Sequence, residues 1–274
     1  MASPLKISSL QNPRVKFAVS VVESRKTRNQ HGIFAVEGSR EIQRALMSGY
    51  QPTQVFVQRS LLSPEGEHIL RTLSDVPGIE SFEVTQDVFA KIVVREDKDG
   101  LFVIFRQKNH ALLQLQLPEN PLILAVHGVE KPGNLGALLR SADGAGVSAV
   151  VVLDGTVDLY NAHVIRGSLG TLFSCQVGLA SEEAFRQLCR ERRIQVVAAA
   201  LSDRSIPHFQ ADLSRSTAVL VGSEAYGLPS SWLDWADQVI KIPMCGLADS
   251  LNVSTAGGII LYEALRQRAC RHQK

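Results

Sequence analysis

Apolar residues recur at helical spacing through residues 12–30, "NPRVKFAVSVVESRKTRNQ", and set Val15, Ala18, Val19 and Val22 on one face of an expected amphipathic helix. The next stretch, "GIFAVEGSREIQRALMSGY", reads as a strand over residues 33–36, a glycine turn, a helix from about Ser39 and a stop at Gly49. Strands follow at "TQVFVQ" and "SFEVT", separated by helical "PEGEHILRTLSD". A helix at "VFAKIV" and a strand at "LFVIFRQ" complete the block. Strands alternating with helices predict an N-terminal α/β sandwich over residues 1–106. The stretch after it has weak helical periodicity and ends in prolines, which predicts a linker over residues 107–120.

Beyond Pro121 the strand-length segments lose their polar alternation. "LILAVHGV", "AVVVLDG", "QVVAAAL", "TAVLVGS" and "VIKIP" are nearly continuous apolar runs, as expected for a parallel sheet covered on both faces. Helical segments lie between them at "GALLRSADGAG", "NAHVIRGSLG" and "SEEAFRQLCRERR". Residues 121–274 therefore read as a second, doubly wound α/β domain. At 274 residues the chain is long enough for two such domains, and a fold of this length buries roughly 75% of its unfolded surface without staples. The chain holds no internal repeat and no low-complexity segment.

Composition narrows the class. Apolar residues make up 45% and charged ones 20%, with no apolar run of the ~18 residues a membrane span needs and no apolar core for a signal peptide. The expectation is a cytoplasmic protein without membrane contact. Four widely separated cysteines, none in a CxxC pair, fit a reducing compartment and predict neither disulfides nor a metal site. Net charge is only +2, but it is unevenly spread. Residues 1–40 hold seven Lys/Arg against two acids, a balance of +5, and the tail after Ala264 adds +4, which leaves −7 between them. Two basic ends point to a polyanion gripped at defined places.

Three loops fall where ligands of open parallel sheets bind, at the carboxyl ends of strands. "HGVEKPGNLGALLRSADGAG" is a strand, a Gly-rich turn and a helix, with Asn134 at the expected helix cap and Arg140 inside the helix. It has neither GxGxxG nor GK[ST], which argues against a dinucleotide or NTP enzyme. "VGSEAYGLP" follows an apolar strand, and Gly222 and Gly227 flank the acidic Glu224. "IPMCGLADSLNVSTAGGIILYEALRQ" opens a long helix with its weakest helix formers. Small residues there let a ligand or another backbone come close, or pack the helix against a neighbour.

Read in order, the loops give N-x-G-x-x-x-R-x-A (Asn134, Gly136, Arg140, Ala142), G-x-E-x-x-G (Gly222, Glu224, Gly227) and I-P-M-x-x-x-x-x-S-L-N-V-S (Ile242 to Ser254). Together they closely resemble the SpoU family of RNA ribose 2′-O-methyltransferases, in the SPOUT class. The N-terminal part, with "NPRVK" and "FAVEGSREIQRAL", is similar to the RNA substrate-binding domain joined to family members that modify ribosomal RNA.

The resemblance implies an α/β domain closed by a trefoil knot, S-adenosylmethionine as cofactor, ribosomal RNA as substrate and a homodimer. It assigns catalysis to Asn134, Arg140, Glu224, Ser250 and Asn252, and cofactor binding to Leu220, Gly222, Ile242, Met244 and Leu251. Arg140 takes the central role. Making a guanidinium neutral at pH 7 costs roughly 8 kcal/mol, so a cationic Arg140 that binds phosphate and stabilises the developing alkoxide is preferred to a general base. The candidates for RNA contact are Arg14, Lys16, Arg25, Lys26, Arg28 and Arg40. Two other readings stay open: a transfer-RNA 2′-O-methyltransferase of the same family, and a non-catalytic RNA-binding factor of ribosome assembly.

Overall fold

The structure is a computed structural model that describes residues 5–94, 99–155 and 157–271, Arg271 by its backbone alone. Of the basic tail, the Arg271 side chain and Lys274 lie outside the described residues. The first half runs β1 (Leu5–Ile7), α1 (Pro13–Glu23), α2 (Arg25–His31), β2 (Ile33–Glu37), α3 (Ser39–Met47), β3 (Pro52–Val57), α4 (Pro64–Ser74), β4 (Glu80–Val84), α5 (Gln86–Ile92) and β5 (Leu101–Arg106). The second runs β6 (Leu122–His127), α6 (Pro132–Gly144), β7 (Ala149–Leu153), α7 (Ala162–Gly167), α8 (Thr171–Ser174) and β8 (Val177–Ala180). It continues with α9 (Glu182–Glu191), β9 (Gln195–Ala199), β10 (Ile206–Pro207), β11 (Thr217–Val221), α10 (Ser230–Trp235), β12 (Gln238–Lys241) and α11 (Val253–Arg271).

Two compact units result: residues 1–109 with 158–174, and residues 110–157 with 175–274. In the first, a sheet of order β1-β4-β3-β5-β2 is parallel except at β5, which runs antiparallel to β2 and β3. One face buries Ala35, Phe102 and Ile104 against Val15, Ala18 and Val21 of α1 and Val88 and Ile92 of α5. The other face carries an aromatic cluster in which Phe34 stacks on Tyr160 at 4.3 Å and on Phe173 at 5.7 Å, with Tyr50 edge-on. The two halves of that cluster come from distant parts of the sequence, which explains why Asp158–Ser174, read from sequence as part of the second domain, packs into the first unit.

The single helix expected over residues 12–30 is two helices. Ser24, extended at φ −112°, ends α1, and its Oγ accepts from the Thr27 amide to cap α2. Val21, rather than Val19 or Val22, is the third residue fully buried on α1.

The second unit has a seven-stranded parallel sheet of order β10-β12-β9-β11-β6-β7-β8. Continuous apolar strands do lie between two helical layers. Phe185 and Cys189 of α9 and Trp232 of α10 pack with Ile123, Val151, Val196 and Leu220 on one side. α11 covers β11 and packs along α6. The stretch expected to be a linker is anchored from His110 onward: the Leu179 amide donates to the His110 carbonyl at 2.7 Å, and Leu112, Leu115 and Leu117 pack against the core. Sequence reading missed β1, α8, β8, β10 and α10, all six residues or shorter.

Candidate active site

A cavity of about 560 Å³ opens at the carboxyl ends of β9, β11 and β12 and is closed by the first turns of α11. This is the size range of small-ligand sites. Its walls include Gly222, Ile242, Met244 and Leu251, with Glu224, Ser250 and Asn252 at its polar side.

The Gly222–Leu228 wall is a cross-braced turn. Ser223 and Gly227 exchange both backbone hydrogen bonds, at 3.2 and 3.0 Å, and the Ser223 hydroxyl accepts from the Tyr226 amide at 3.0 Å. Gly227 sits at φ +66°, in the left-handed region that favours glycine. A Cβ at Gly222 would lie 2.4 Å from the carbonyl carbon and oxygen of Gly227, so only hydrogen fits there.

Three motif side chains meet beside this turn. Asn252 immediately precedes α11; its Oδ1 accepts from the Ser254 amide at 2.9 Å, and its backbone carbonyl accepts from Ala256 N–H. With Oδ1 so used, its Nδ2 donates to Asn134 Oδ1 at 3.1 Å. Asn134 in turn donates through Nδ2 to Glu224 Oε1. An asparagine can donate and accept at once, so a chain of Asn252, Asn134 and Glu224 links three loops that lie 118 and 90 residues apart.

Several expected placements need correction. Asn134 is not the cap of α6: the helix begins at Pro132 after Lys131, and Asn134 sits in its first turn, which frees its side chain for the other two loops. Leu220 is fully buried in the core with Ile123 and Val196; strand alternation turns the neighbouring Val221 to the cavity instead. Arg140 is exposed and is not part of the cavity wall, six residues along α6 from Asn134 and so about 120° around the helix. No hydrogen bond or ion pair holds it among the described residues.

The small residues at the start of α11 divide into two groups. Ala256 faces the cavity. Gly257 and Gly258 face α6, where a Cβ on Gly257 would come within 2.5 Å of Leu138 Cδ2 and one on Gly258 within 3.4 Å of Ser141 Oγ. Sequence reasoning did not find the contributions of Ala199–Leu201, Lys131 and Tyr226 to the cavity; strand-end position was their only signal. Elsewhere in this unit His127 Nε2 lies 2.9 Å from Glu182 Oε1, with an Asp154 carboxylate oxygen within 4.8 Å of both ligand atoms, a group outside the cavity wall.

Among the basic candidates of the first unit, Arg14, Lys16, Arg25, Lys26 and Arg40 are exposed. Arg14 reaches Glu80 at 3.4 Å, and Arg40 reaches Glu41 at 2.6 Å. Arg28 is the exception and cannot serve as a surface contact. It is 2% exposed, its Nη1 donates to the Val21 and Val22 carbonyls at 2.6 and 2.7 Å, and its Nε and Nη2 donate to Asp158 Oδ2 at 2.9 and 2.5 Å.

Both halves of the chain match known protein families. The SpoU rRNA Methylase family model matches residues 121–262, and an MRM3-like substrate binding domain matches residues 12–103. A crystal structure of an RNA 2′-O ribose methyltransferase is 39% identical, with a TM-score of 0.84 over 97% of this chain and 100% of its own. An AdoMet-bound rRNA methyltransferase from Sinorhizobium meliloti is 30% identical, with a TM-score of 0.86 over 95% and 97%. The 23S rRNA (guanosine(2553)-2′-O)-methyltransferase RlmP of Bacillus subtilis is 27% identical over 93% of this chain and 97% of its own. With a family model covering more than half its length and the three motif loops joined at one cavity, the chain belongs to the SpoU rRNA methylase family.

Proposed function

We propose that the chain transfers a methyl group from S-adenosylmethionine to a ribose 2′-hydroxyl of ribosomal RNA, and that it works in the cytoplasm as a homodimer. The observation that carries this reading is the Asn252–Asn134–Glu224 chain at the mouth of a glycine-walled cavity. The cavity fits the cofactor: Gly222 and Gly227 lend it a wall without side chains, Met244, Leu251 and Ile260 offer apolar surface, and polar groups line one flank. When bound, S-adenosylmethionine supplies an electrophilic methyl on a sulfonium, which is already an excellent leaving group.

The protein's own share is placement and charge. Holding a hydroxyl in line can supply ~7–11 kcal/mol. Glu224 and Asn134 orient that hydroxyl and its ribose, while Ser250 and Asn252 fix the loop across from them. Arg140 stays cationic, grips the adjoining phosphate and stabilises the alkoxide as it forms, so that phosphate oxygen or water can take the proton.

Because Arg140 stands outside its own cavity wall, we assign it to the cavity of a second copy. Ile259, Tyr262 and Leu265 form an exposed apolar stripe on α11, and Tyr262 Oη lies over Gly144 at the end of α6, so the two helices offer a continuous face for that copy. The first unit, with Arg14, Lys16, Arg25, Lys26 and Arg40, binds structured RNA through phosphates. Four free cysteines and a ribosomal substrate support the cytoplasmic assignment. The segment from Ile242 to Asn252 is the part we assign to the family's knot.

The test is incorporation of labelled methyl from S-adenosylmethionine into ribosomal RNA, with the site mapped as 2′-O-methyl. Arg140→Lys lowers the single-turnover rate more than ~10-fold at saturating cofactor, since a point charge cannot reproduce the bidentate fork. Methyl found on a base, or unchanged turnover by that variant, contradicts the scheme.

A further inference from the structure

Tyr226 stands at the apex of the cross-braced turn, two residues from Glu224, and is 89% exposed. The other tyrosines are buried or lie on α11. No aromatic ring or cation stacks on Tyr226 among the described residues, so the side chain adds nothing to the fold. Yet its backbone is held firmly: the amide donates to Ser223 Oγ, Gly227 closes the turn on Ser223, and Gly222 is pinned against Gly227. The turn cannot fold down to cover the ring. It therefore presents a large flat surface with only two side-chain torsions to immobilise, at the edge of the cavity that also holds exposed Leu201.

A ribose whose hydroxyl sits at Glu224 brings its own base with it, and the base must leave any RNA stack for the hydroxyl to reach the cavity mouth. A displaced base needs a replacement surface, and aromatic side chains provide it at ~1–3 kcal/mol per base. We infer that Tyr226 is a substrate-positioning residue, the platform on which the base of the methylated nucleotide stacks. The inference rests on the RNA-methylation reading above. It adds a base-contacting group that none of the three motif loops supplies through its hydrogen-bonding residues.

The experiment compares wild type with Tyr226→Ala and Tyr226→Phe in single-turnover methylation of transcribed 23S rRNA. Equilibrium dialysis of S-adenosylmethionine and the thermal midpoint are measured alongside. Tyr226→Ala lowers kcat/KM by about 5- to 150-fold, the equivalent of one lost stack. Tyr226→Phe stays within about threefold of wild type; cofactor affinity and midpoint do not move. A second arm uses an RNA fragment in which the mapped nucleotide keeps its ribose but lacks its base. Wild type loses a similar factor on this RNA, and Tyr226→Ala loses no more than about twofold further, because the stack is already gone.

Full kcat/KM for Tyr226→Ala overturns the inference. So does a fall in cofactor affinity that accounts for the lost turnover, which would make the ring a wall of the donor site. Equal penalties for the missing base in both proteins would also overturn it. Failure of the wild-type chain to incorporate any methyl would overturn the RNA-methylation reading itself, and the stacking with it.

Discussion

Arg28 gives the sharpest contrast between a charge read from sequence and the same charge in place. Its guanidinium fills a buried position in which all of its contacts are internal: the Val21 and Val22 carbonyls in the last turn of α1, and the Asp158 carboxylate. Those two carbonyls belong to the final four of the helix, which have no partner within it, so Arg28 caps α1 and places a cation at its negative end. Asp158 is 130 residues away, and its own side chain is only 11% exposed. Arg28→Ala would leave Asp158 Oδ2 and two carbonyls without donors, the Tyr160 amide still holding Oδ1, and would remove the only cation paired with that carboxylate among the described residues. Breaking such a pair from one side costs about 3–5 kcal/mol. For a unit of this size that lowers the thermal midpoint by roughly 10–20 °C.

Scanning calorimetry of the full chain measures this directly as an early transition of the first unit. RNA affinity, measured well below that transition as a function of salt, supplies the second axis. Each lost phosphate contact flattens the plot of log K against log salt by about 0.7–0.9. Arg28→Ala leaves the slope unchanged, whereas the exposed pair Lys16→Ala/Lys26→Ala flattens it. A stability loss below about 1 kcal/mol, or a slope reduced by a full contact in Arg28→Ala, would refute the reasoning.

Gly222→Ala forces a methyl into backbone at 2.4 Å, which costs about 1–3 kcal/mol and shifts the turn; equilibrium dialysis should show S-adenosylmethionine affinity lost, while Gly133→Ala, with open space around it, binds normally. Ile259→Asp/Tyr262→Asp places charge on the exposed stripe of α11; if the proposed homodimer forms through that stripe, sedimentation should show wild type as a dimer and this variant as a monomer, with methyl transfer falling alongside. Burial pushes the Cys175 and Cys189 thiols up to about 12, so at pH 8 they remain protonated; iodoacetamide followed by mass spectrometry should modify Cys245 and Cys270 in the folded protein and spare the other two.

Much of the second unit was legible because its strands are buried on both faces, and a run such as "TAVLV" admits few other readings. That same uniformity hid the phase. With no polar residue to mark a side, nothing in the sequence told Leu220, which faces the core, from Val221, which faces the cavity. The break at Ser24 carries neither glycine nor proline, and its one local signal is the serine that caps α2; Arg28, which caps α1 from within α2, has its acidic partner in a distant segment. The meeting of Asn134, Glu224 and Asn252 came from the motif resemblance. Periodicity alone assigned Asn134 to a cap that Lys131 occupies.

The beginning of α11 shows how the chemistry and the fold share residues. Two glycines in a helix cost about 1 kcal/mol each relative to alanine, so local propensity opposes starting a helix at Val253. Docking supplies the compensation. Without Cβ atoms Gly257 and Gly258 let α11 close on Leu138 and Ser141 of α6, and Ile260, Leu261 and Ala264 are buried further along. Asn252 then caps the helix with one end of its amide and holds Asn134 with the other. The helix contact that makes α11 possible thus also fixes the distance between Asn252 and the first turn of α6, where Asn134 sits. Any ligand that binds only the assembled cavity must stabilise this helix pair by the same free energy with which the pair favours the ligand.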